Sequence, residues 1–140
     1  GYEELLKATM ALTRQQPDLE QMFTRMVFNV YGHNRDDHTK NHSFLMDANG
    51  EWRLSPAYDV VFSDGPGGEH SLDIGGEGKA PGLADIQKVG KSIGLSKGVM
   101  ADCIDKVRTS VDQWATFAER HSVPKKLINE IASTLGVAGI

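Results

Sequence analysis

Apolar residues recur at helical spacing over the first part of the chain and predict two helices. The first runs from Tyr2 to Gln15, and Pro17 suits the first turn of a second helix that ends at Gly32. The apolar stripe of the second helix consists of Leu19, Met22, Phe23, Met26, Val27 and Val30. Because this spacing is typical of a packed helix face, we expect the second helix to lie in the centre of the core.

Polar residues replace this pattern from Gly32 to Asn41, which predicts a loop. His42 to Met46 has the character of a short strand, and Glu51 to Leu54 forms a second one after turn-forming residues. The turn from Asp47 to Gly50 lacks the further ligands of a calcium loop, so we expect a simple connection. The pattern therefore predicts a β-hairpin directly after the polar loop.

Glycines are frequent from Ser63 to Gly82, where we expect an irregular, partly mobile segment with one short strand at Ser71 to Ile74. The run from Gly75 to Lys79 lacks the spacing of a phosphate-binding loop. Three further helices are predicted at Leu83 to Ile93, Lys97 to His121 and Pro124 to Leu135. The apolar stripe of the long helix is Val99, Cys103, Val107, Val111, Trp114 and Phe117. We therefore predict a mainly α domain with one short hairpin.

Composition narrows the class of protein. A length of 140 residues with 39% hydrophobic and 24% charged residues is typical of one globular domain. The formal net charge of -4 gives no electrostatic reason to expect binding to nucleic acid or to a membrane. Cys103 is the single cysteine, which excludes a disulfide framework, and we expect a buried, inert thiol. No signal-peptide pattern is present, so we expect a cytoplasmic protein.

Three polar residues have the arrangement of a phosphoryl-transfer site. Asn41 follows Asp36 by five positions, and Asp59 comes just after the predicted hairpin. In protein kinases, an Asp on the catalytic loop accepts the substrate hydroxyl proton, and an Asn five positions later binds magnesium. Carboxylate and amide oxygens suit this hard cation. We therefore expect Asp36 to orient the attacking hydroxyl and Asn41 and Asp59 to bind Mg²⁺.

Two stretches resemble the HipA family of bacterial kinases. They are Asn34-Arg35-Asp36-Asp37-His38-Thr39-Lys40-Asn41-His42-Ser43-Phe44 and Leu54-Ser55-Pro56-Ala57-Tyr58-Asp59-Val60. The resemblance implies that Asp36 is the catalytic Asp, that Asn41 is a metal ligand, and that Asp59 corresponds to the Asp of the kinase Asp-Phe-Gly motif. Val60 stands where that motif has Phe. The match is strong over residues 28–61 and only general in the later helices.

Neighbouring residues have less certain roles. His38 or Lys40 could contact the γ-phosphate, and His38 could equally hold the loop by hydrogen bonds to backbone. Asp37 is expected to be exposed and is the rival base, but only Asp36 has the right offset to Asn41. We expect the ring of Tyr58 to pack beneath the metal loop and Asn34 to bond loop backbone.

The resemblance also implies the setting of the reaction. The chain would be the kinase C-lobe-like, catalytic and metal-binding domain of a HipA-like toxin kinase, spanning residues 1–140, with Mg²⁺ and ATP as cofactors. A phosphate-covering loop and a Lys that grips the nucleotide are not found here, so we expect an N-terminal lobe to supply them. The implied partners are a protein substrate of the aminoacyl-tRNA synthetase kind and a HipB-type DNA-binding antitoxin.

Two alternatives remain at this stage. One is a His and Asp metal hydrolase, with zinc or iron held by His33, His38, His42 and the adjacent acids, although the segment has poor helical composition and no general-base Glu. The other is a non-catalytic helical module or pseudokinase that binds an antitoxin. The presence of Asp36, Asn41 and Asp59 together argues against the pseudokinase.

Overall fold

In a computed structural model that describes residues 1–140, the chain contains six α-helices and one β-hairpin. The helices are α1 (Tyr2–Thr13), α2 (Gln16–Tyr31), α3 (Leu83–Ser92), α4 (Lys97–Asp112), α5 (Trp114–Arg120) and α6 (Lys125–Leu135). Strands β1 (Phe44–Met46) and β2 (Trp52–Leu54) pair antiparallel, with Leu45 opposite Arg53. The predicted mainly α fold with one hairpin is confirmed. None of the helices combines the length and apolar character needed to cross a bilayer.

Helix α2 lies in the centre of the core, as predicted. It packs against α1 on one side and α4 on the other. Met22, Phe23, Met26 and Val27 on α2 have no exposed surface. Burial of four such side chains is a major part of the hydrophobic free energy of folding. The polar loop that follows α2 therefore starts from a rigid support.

The predicted long helix from Lys97 to His121 is two helices, separated at Gln113. The indole nitrogen of Trp114 donates a hydrogen bond to the carbonyl oxygen of Ile128 on α6, over 3.0 Å. After the break, Ala115 and Ala118 pack with Ile128 in a second small core. The predicted apolar stripe is thus only partly buried, because Phe117 is 44% exposed. Cys103, expected to be buried, is half-buried.

The predicted strand from Ser71 to Ile74 is not formed. Only an isolated bridge between Ile74 and Glu77 occurs in this region. Ser71 instead directs its backbone N–H to the carboxylate of Asp37 in the polar loop. The glycine-containing segment is irregular, as predicted, but it is packed against the loop.

Asp18 fixes the hairpin to α2. Its carboxylate accepts hydrogen bonds from Nε and Nη2 of Arg53, over 2.9 and 2.8 Å, and from the backbone N–H of Leu54, over 2.9 Å. These bonds hold the pKa of Asp18 below its ordinary value, with Arg53 the main cause, against the opposing effect of burial. The hairpin therefore has a fixed position relative to the helix that precedes the loop.

Candidate functional site

The polar loop between α2 and β1 is held at its base by backbone hydrogen bonds. The N–H of Asn34 donates to the carbonyl oxygen of Asn29 on α2, over 3.0 Å. The N–H of Arg35 donates to the carbonyl oxygen of Ser63, over 3.0 Å. His33 adopts a left-handed conformation with φ 54°, which turns the chain sharply out of the helix. The loop is thus fixed both to α2 and to the segment beyond the hairpin.

Asn41 closes the loop onto Asp36. Residues 39–41 form a single 3-10 turn, and the side-chain amide Nδ2 of Asn41 donates to the carbonyl oxygen of Asp36, over 3.0 Å. The amide oxygen of Asn41 is left free of hydrogen bonds, as is the carboxylate of Asp36, which is 40% exposed. Both groups keep oxygen atoms for a ligand or substrate.

Asp59 lies beyond β2 on a short irregular segment. Its backbone is left-handed, with φ 52°, a conformation that Asp and Asn tolerate better than most residues. Its exposed carboxylate has no hydrogen-bond or ion-pair partner within the chain. The preceding Tyr58 donates its hydroxyl to the carbonyl oxygen of Lys40, over 2.9 Å, and is 42% exposed. Tyr58 therefore ties this segment to the polar loop through its hydroxyl, and the packing of its ring beneath the loop stays a prediction.

A cleft of about 320 Å³ brings Asn41 and Asp59 together. Both residues line it, along with Arg25 and His42. Asp36, His38 and Lys40 do not line this cleft. The structure therefore joins the two predicted metal ligands in one cavity, and it connects Asp36 to that cavity through the side chain of Asn41.

His38 and Lys40 differ in their surroundings. Nε2 of His38 lies 3.7 Å from a carboxylate oxygen of Asp36, close enough for charge attraction but too long for a hydrogen bond. Nδ1 of His38 is buried without a partner, so the alternative in which His38 bonds loop backbone is not seen. Lys40 has an exposed side chain and makes no ion pair. The side chains of His38 and Lys40 therefore form no hydrogen bond within the chain and can contact a substrate.

Asp37 was expected on the surface, and this prediction is wrong. It is 1% exposed, and its carboxylate accepts hydrogen bonds from the Tyr2 hydroxyl over 2.6 Å and from Nδ1 of His70 over 2.8 Å. The N–H of Ser71 donates to the other oxygen over 2.8 Å. Burial acts to raise the pKa of Asp37, but these donors outweigh it and leave the pKa lowered. Asp37 is engaged on both oxygens, which removes it as a rival base.

Asn34 differs from its expected role as well. Its side-chain amide donates to Oδ1 of Asn29, over 3.0 Å, and Asn29 in turn donates to the Tyr2 hydroxyl, over 2.9 Å. These three buried residues extend the Asp37 network into α1 and α2. A polar Asn29 at the end of an apolar helix was the one sequence signal of this cluster. Its partners are distant in sequence and could not be identified from spacing.

The histidines do not form a metal cluster. His33 contacts Asp64 over 2.8 Å and stacks on Phe62, and His42 lies with its ring edge against Tyr2. No three His, Cys, Asp or Glu groups lie together as metal ligands would. The zinc or iron hydrolase arrangement considered from the sequence is therefore not assembled.

Arg25 gives one wall of the cleft a positive charge. Its Nη2 donates to the carbonyl oxygen of Ser55, over 2.6 Å, and Ser55 bonds Ser43 across the base of the hairpin. Burial lowers the pKa of Arg25, though not enough to discharge a guanidinium. Burial, with Arg25 second, also lowers the pKa of His42, which favours a neutral ring beside Asn41.

The sequence of residues 1–115 matches the family model described as HipA-like C-terminal domain. The chain belongs to this family. The match covers α1 to α4, the hairpin and the polar loop, and thus every residue of the candidate site in this HipA-like domain. No curated protein sequence matches the chain, so the family model alone carries the assignment.

The residues of this HipA-like domain fit a magnesium ion. The free oxygens of Asn41 and Asp59 are of the carboxylate and amide types that Mg²⁺ prefers, and both side chains line one cleft. Magnesium keeps several water ligands and is held in phosphoryl-transfer sites by one or two protein oxygens plus phosphate. Two protein ligands are therefore sufficient for such a site.

Proposed function

We propose that this HipA-like domain carries the catalytic loop and metal ligands of a protein kinase that uses Mg²⁺ and ATP. The single observation that carries the proposal is the arrangement of Asn41. Its side chain bonds the backbone of Asp36 and lines a cleft with Asp59. The proposed base and the two proposed ligands are thus connected, and their functional oxygen atoms are unused by the protein.

In the proposed reaction, Asp36 accepts the proton of a Ser or Thr hydroxyl on a protein substrate. The hydroxyl oxygen forms a bond to the γ-phosphorus as the bond between that phosphorus and the bridging oxygen breaks, which releases ADP. A magnesium ion held by Asn41 and Asp59 would supply the positive charge that neutralises the phosphates. His38, whose Nε2 lies 3.7 Å from a carboxylate oxygen of Asp36, would contact the transferred phosphoryl group, and the exposed Lys40 would supply positive charge to it.

The wider role is also a proposal, supported by family membership. The substrate would be a protein, with an aminoacyl-tRNA synthetase as the proposed kind, and the physiological role would be that of a cytoplasmic growth-regulating toxin. A HipB-like DNA-binding antitoxin is the proposed partner, and the DNA contacts would come from it. The net charge of -4 on this chain agrees with the proposal that the antitoxin, and not this chain, contacts DNA.

The nucleotide-gripping Lys and phosphate-covering loop are proposed to come from a further lobe of the full-length protein. We therefore expect residues 1–140 alone to bind ATP weakly and to transfer no phosphate. Isothermal titration calorimetry with ATP and release of inorganic phosphate check this expectation. Robust hydrolysis by residues 1–140 would contradict it.

The test of the function is phosphate transfer from γ-labelled ATP to protein Ser or Thr by the full-length protein. Asp36→Asn removes the base and is expected to lower the rate about 10²- to 10⁴-fold. Asp59→Asn, which keeps a residue tolerant of the left-handed backbone, is expected to lower it as well. Asp105→Asn, an exposed change on α4, serves as the control. Unchanged transfer by Asp36→Asn would refute the assignment of Asp36 as the base, and absence of transfer by the wild-type full-length protein would leave a non-catalytic binding module as the better function.

A further inference from the structure

A buried polar network begins at Asp37, the residue after the proposed base, and Asp37 also lines the cleft with Asn41 and Asp59. The side chains of Asp37 and His70 are 0% and 2% exposed, and they are joined by a hydrogen bond of 2.8 Å. Asp37 is the immediate chain neighbour of Asp36, whose side chain is 40% exposed. Asp37 is thus anchored inside the protein, while the carboxylate of Asp36 is partly exposed to solvent.

Both carboxylate oxygens of Asp37 accept hydrogen bonds within the network. An ionised carboxylate only accepts hydrogen bonds, so Nδ1 of His70 carries the proton in this contact. Tyr2 on α1 donates to the same oxygen, and the backbone of Ser71 donates to the other. Donors from α1 and from the segment after the hairpin therefore converge on one loop residue.

Additional contacts tie the same segment to the loop. The hydroxyl of Ser71 donates to the carbonyl oxygen of Arg35, over 3.1 Å, and Nη1 of Arg35 donates to the carbonyl oxygen of Gly68, over 2.5 Å. The backbone of Gly65 passes so close that an added Cβ would lie 2.7 Å from the carbonyl oxygen of Arg35. Residues 65–71 thus pack against one side of the catalytic loop.

We infer that Asp37 and His70 are positioning residues, which hold the main chain of the catalytic loop so that the carboxylate of Asp36 is presented in its reactive place. This inference rests on the proposed phosphoryl transfer. Asp37 has hydrogen-bond donors on both oxygens, which restrains it, and loss of one donor leaves the carboxylate partly unpaired in a low-dielectric interior. A displacement of about 1 Å at a reacting group can lower a rate about 100-fold.

The test compares kcat and the KM for ATP in variants of the full-length protein. Asp37→Asn and His70→Leu are each expected to lower kcat about 10- to 100-fold while KM stays within about threefold. His70→Asn can place its amide nitrogen where Nδ1 lies and is expected to restore most of the activity. Asp105→Asn and His121→Leu, both exposed changes, are the matched controls.

Hydrogen exchange provides a second readout, because a merely stabilising role would not single out the loop. In His70→Leu, backbone amides of residues 35–41 are expected to exchange faster, while those of α2 stay protected. If His70→Leu does not fold, Tyr2→Phe replaces it, since this change keeps the ring and removes only the hydroxyl that bonds Asp37. Wild-type kcat in the folded variants, or equal losses in His70→Asn and His70→Leu, would overturn the inference.

The outcomes separate this inference from the proposed function. Activity lost in Asp36→Asn but intact in Asp37→Asn and His70→Leu overturns only the positioning role. Activity retained in Asp36→Asn overturns the proposed function, whatever the other variants do. Loss in all of them, with rescue by His70→Asn, supports both.

Discussion

The side-chain amide of Asn41 donates a hydrogen bond to the backbone carbonyl oxygen of Asp36, over 3.0 Å. This bond spans the polar loop and, under the proposed function, gives Asn41 two tasks at once. The amide nitrogen fixes the loop, and the amide oxygen remains for a cation. An amide supplies both a donor and an acceptor, whereas a carboxylate supplies only acceptors.

Asn41→Asp is therefore expected to impair the site even though it adds a good metal ligand. The new carboxylate cannot donate to the carbonyl oxygen of Asp36 and would repel it. We expect phosphate transfer to fall about tenfold or more, since partners that orient a ligand are worth about 10- to 100-fold. Asn49→Asp in the exposed hairpin turn is the control, and equal activity of the two variants would contradict the double role of Asn41.

Gly65→Ala tests whether the close approach of Gly65 to Arg35 stabilises the fold. The backbone there has φ 72°, and an added Cβ would lie within 2.7 Å of Arg35. The ψ of Gly65 is 171°, a conformation restricted to glycine, and the added Cβ would also lie 2.6 Å from the carbonyl oxygen of Glu69. Gly67 has φ 69° and ψ 11° with open space around it, so Gly67→Ala gives the strain of a left-handed Ala alone. That strain is about 1 to 2 kcal/mol. Urea unfolding should show a larger loss for Gly65→Ala, and equal losses would mean that the contact with the loop is unimportant.

Asp18→Ala should loosen the hairpin from α2. The change removes three hydrogen bonds to the carboxylate, two of them from Arg53. Because the side chain of Arg53 is 57% exposed, solvent screening limits the expected loss in unfolding free energy to about 1–2 kcal/mol. Asp105→Ala on α4 is the control, with an expected change within about 0.5 kcal/mol. A loss no larger than that of the control would show that the bidentate contact does not stabilise the fold.

Acid should weaken the Asp37 network. The folded-state pKa of Asp37 lies below its ordinary value, so its ionised form stabilises the fold at pH values above the unfolded pKa of about 3.9. This contribution is lost as the pH falls through that value towards the lower folded pKa. The stability advantage of the wild type over Asp37→Asn, measured by urea unfolding, should be full near about pH 6 and shrink below about pH 4. An advantage that grows on acidification would contradict the assigned direction.

The helices and the hairpin could be predicted because their signals are local. The stripe from Leu19 to Val30 and the turn at Asp47 to Gly50 each specify one element within a few residues. The break at Gln113 could not be predicted in this way, because the residue after it, Trp114, bonds Ile128 on α6, a partner 14 positions away. The local pattern of α4 and α5 continues across the break and gives no sign of it.

The candidate site likewise combines features that were visible in the sequence with features that only the fold creates. The offsets of Asp36, Asn41 and Asp59 were visible in the sequence, and the structure places two of the three in one cleft. The burial of Asp37 was not visible, because its partners Tyr2 and His70 are each more than thirty positions away. A charged residue in a polar loop is usually exposed, and only the fold brings those donors to it.

The proposed function depends most on one divalent cation being held by Asn41 and Asp59. Manganese binding to the full-length protein in the presence of ATP, followed by electron paramagnetic resonance, measures this directly, since Mn²⁺ accepts the same oxygen ligands as Mg²⁺. Asn41→Ala and Asp59→Asn are each expected to weaken binding at least about tenfold, while Asp105→Asn leaves it unchanged. Wild-type affinity in both site variants would contradict the account.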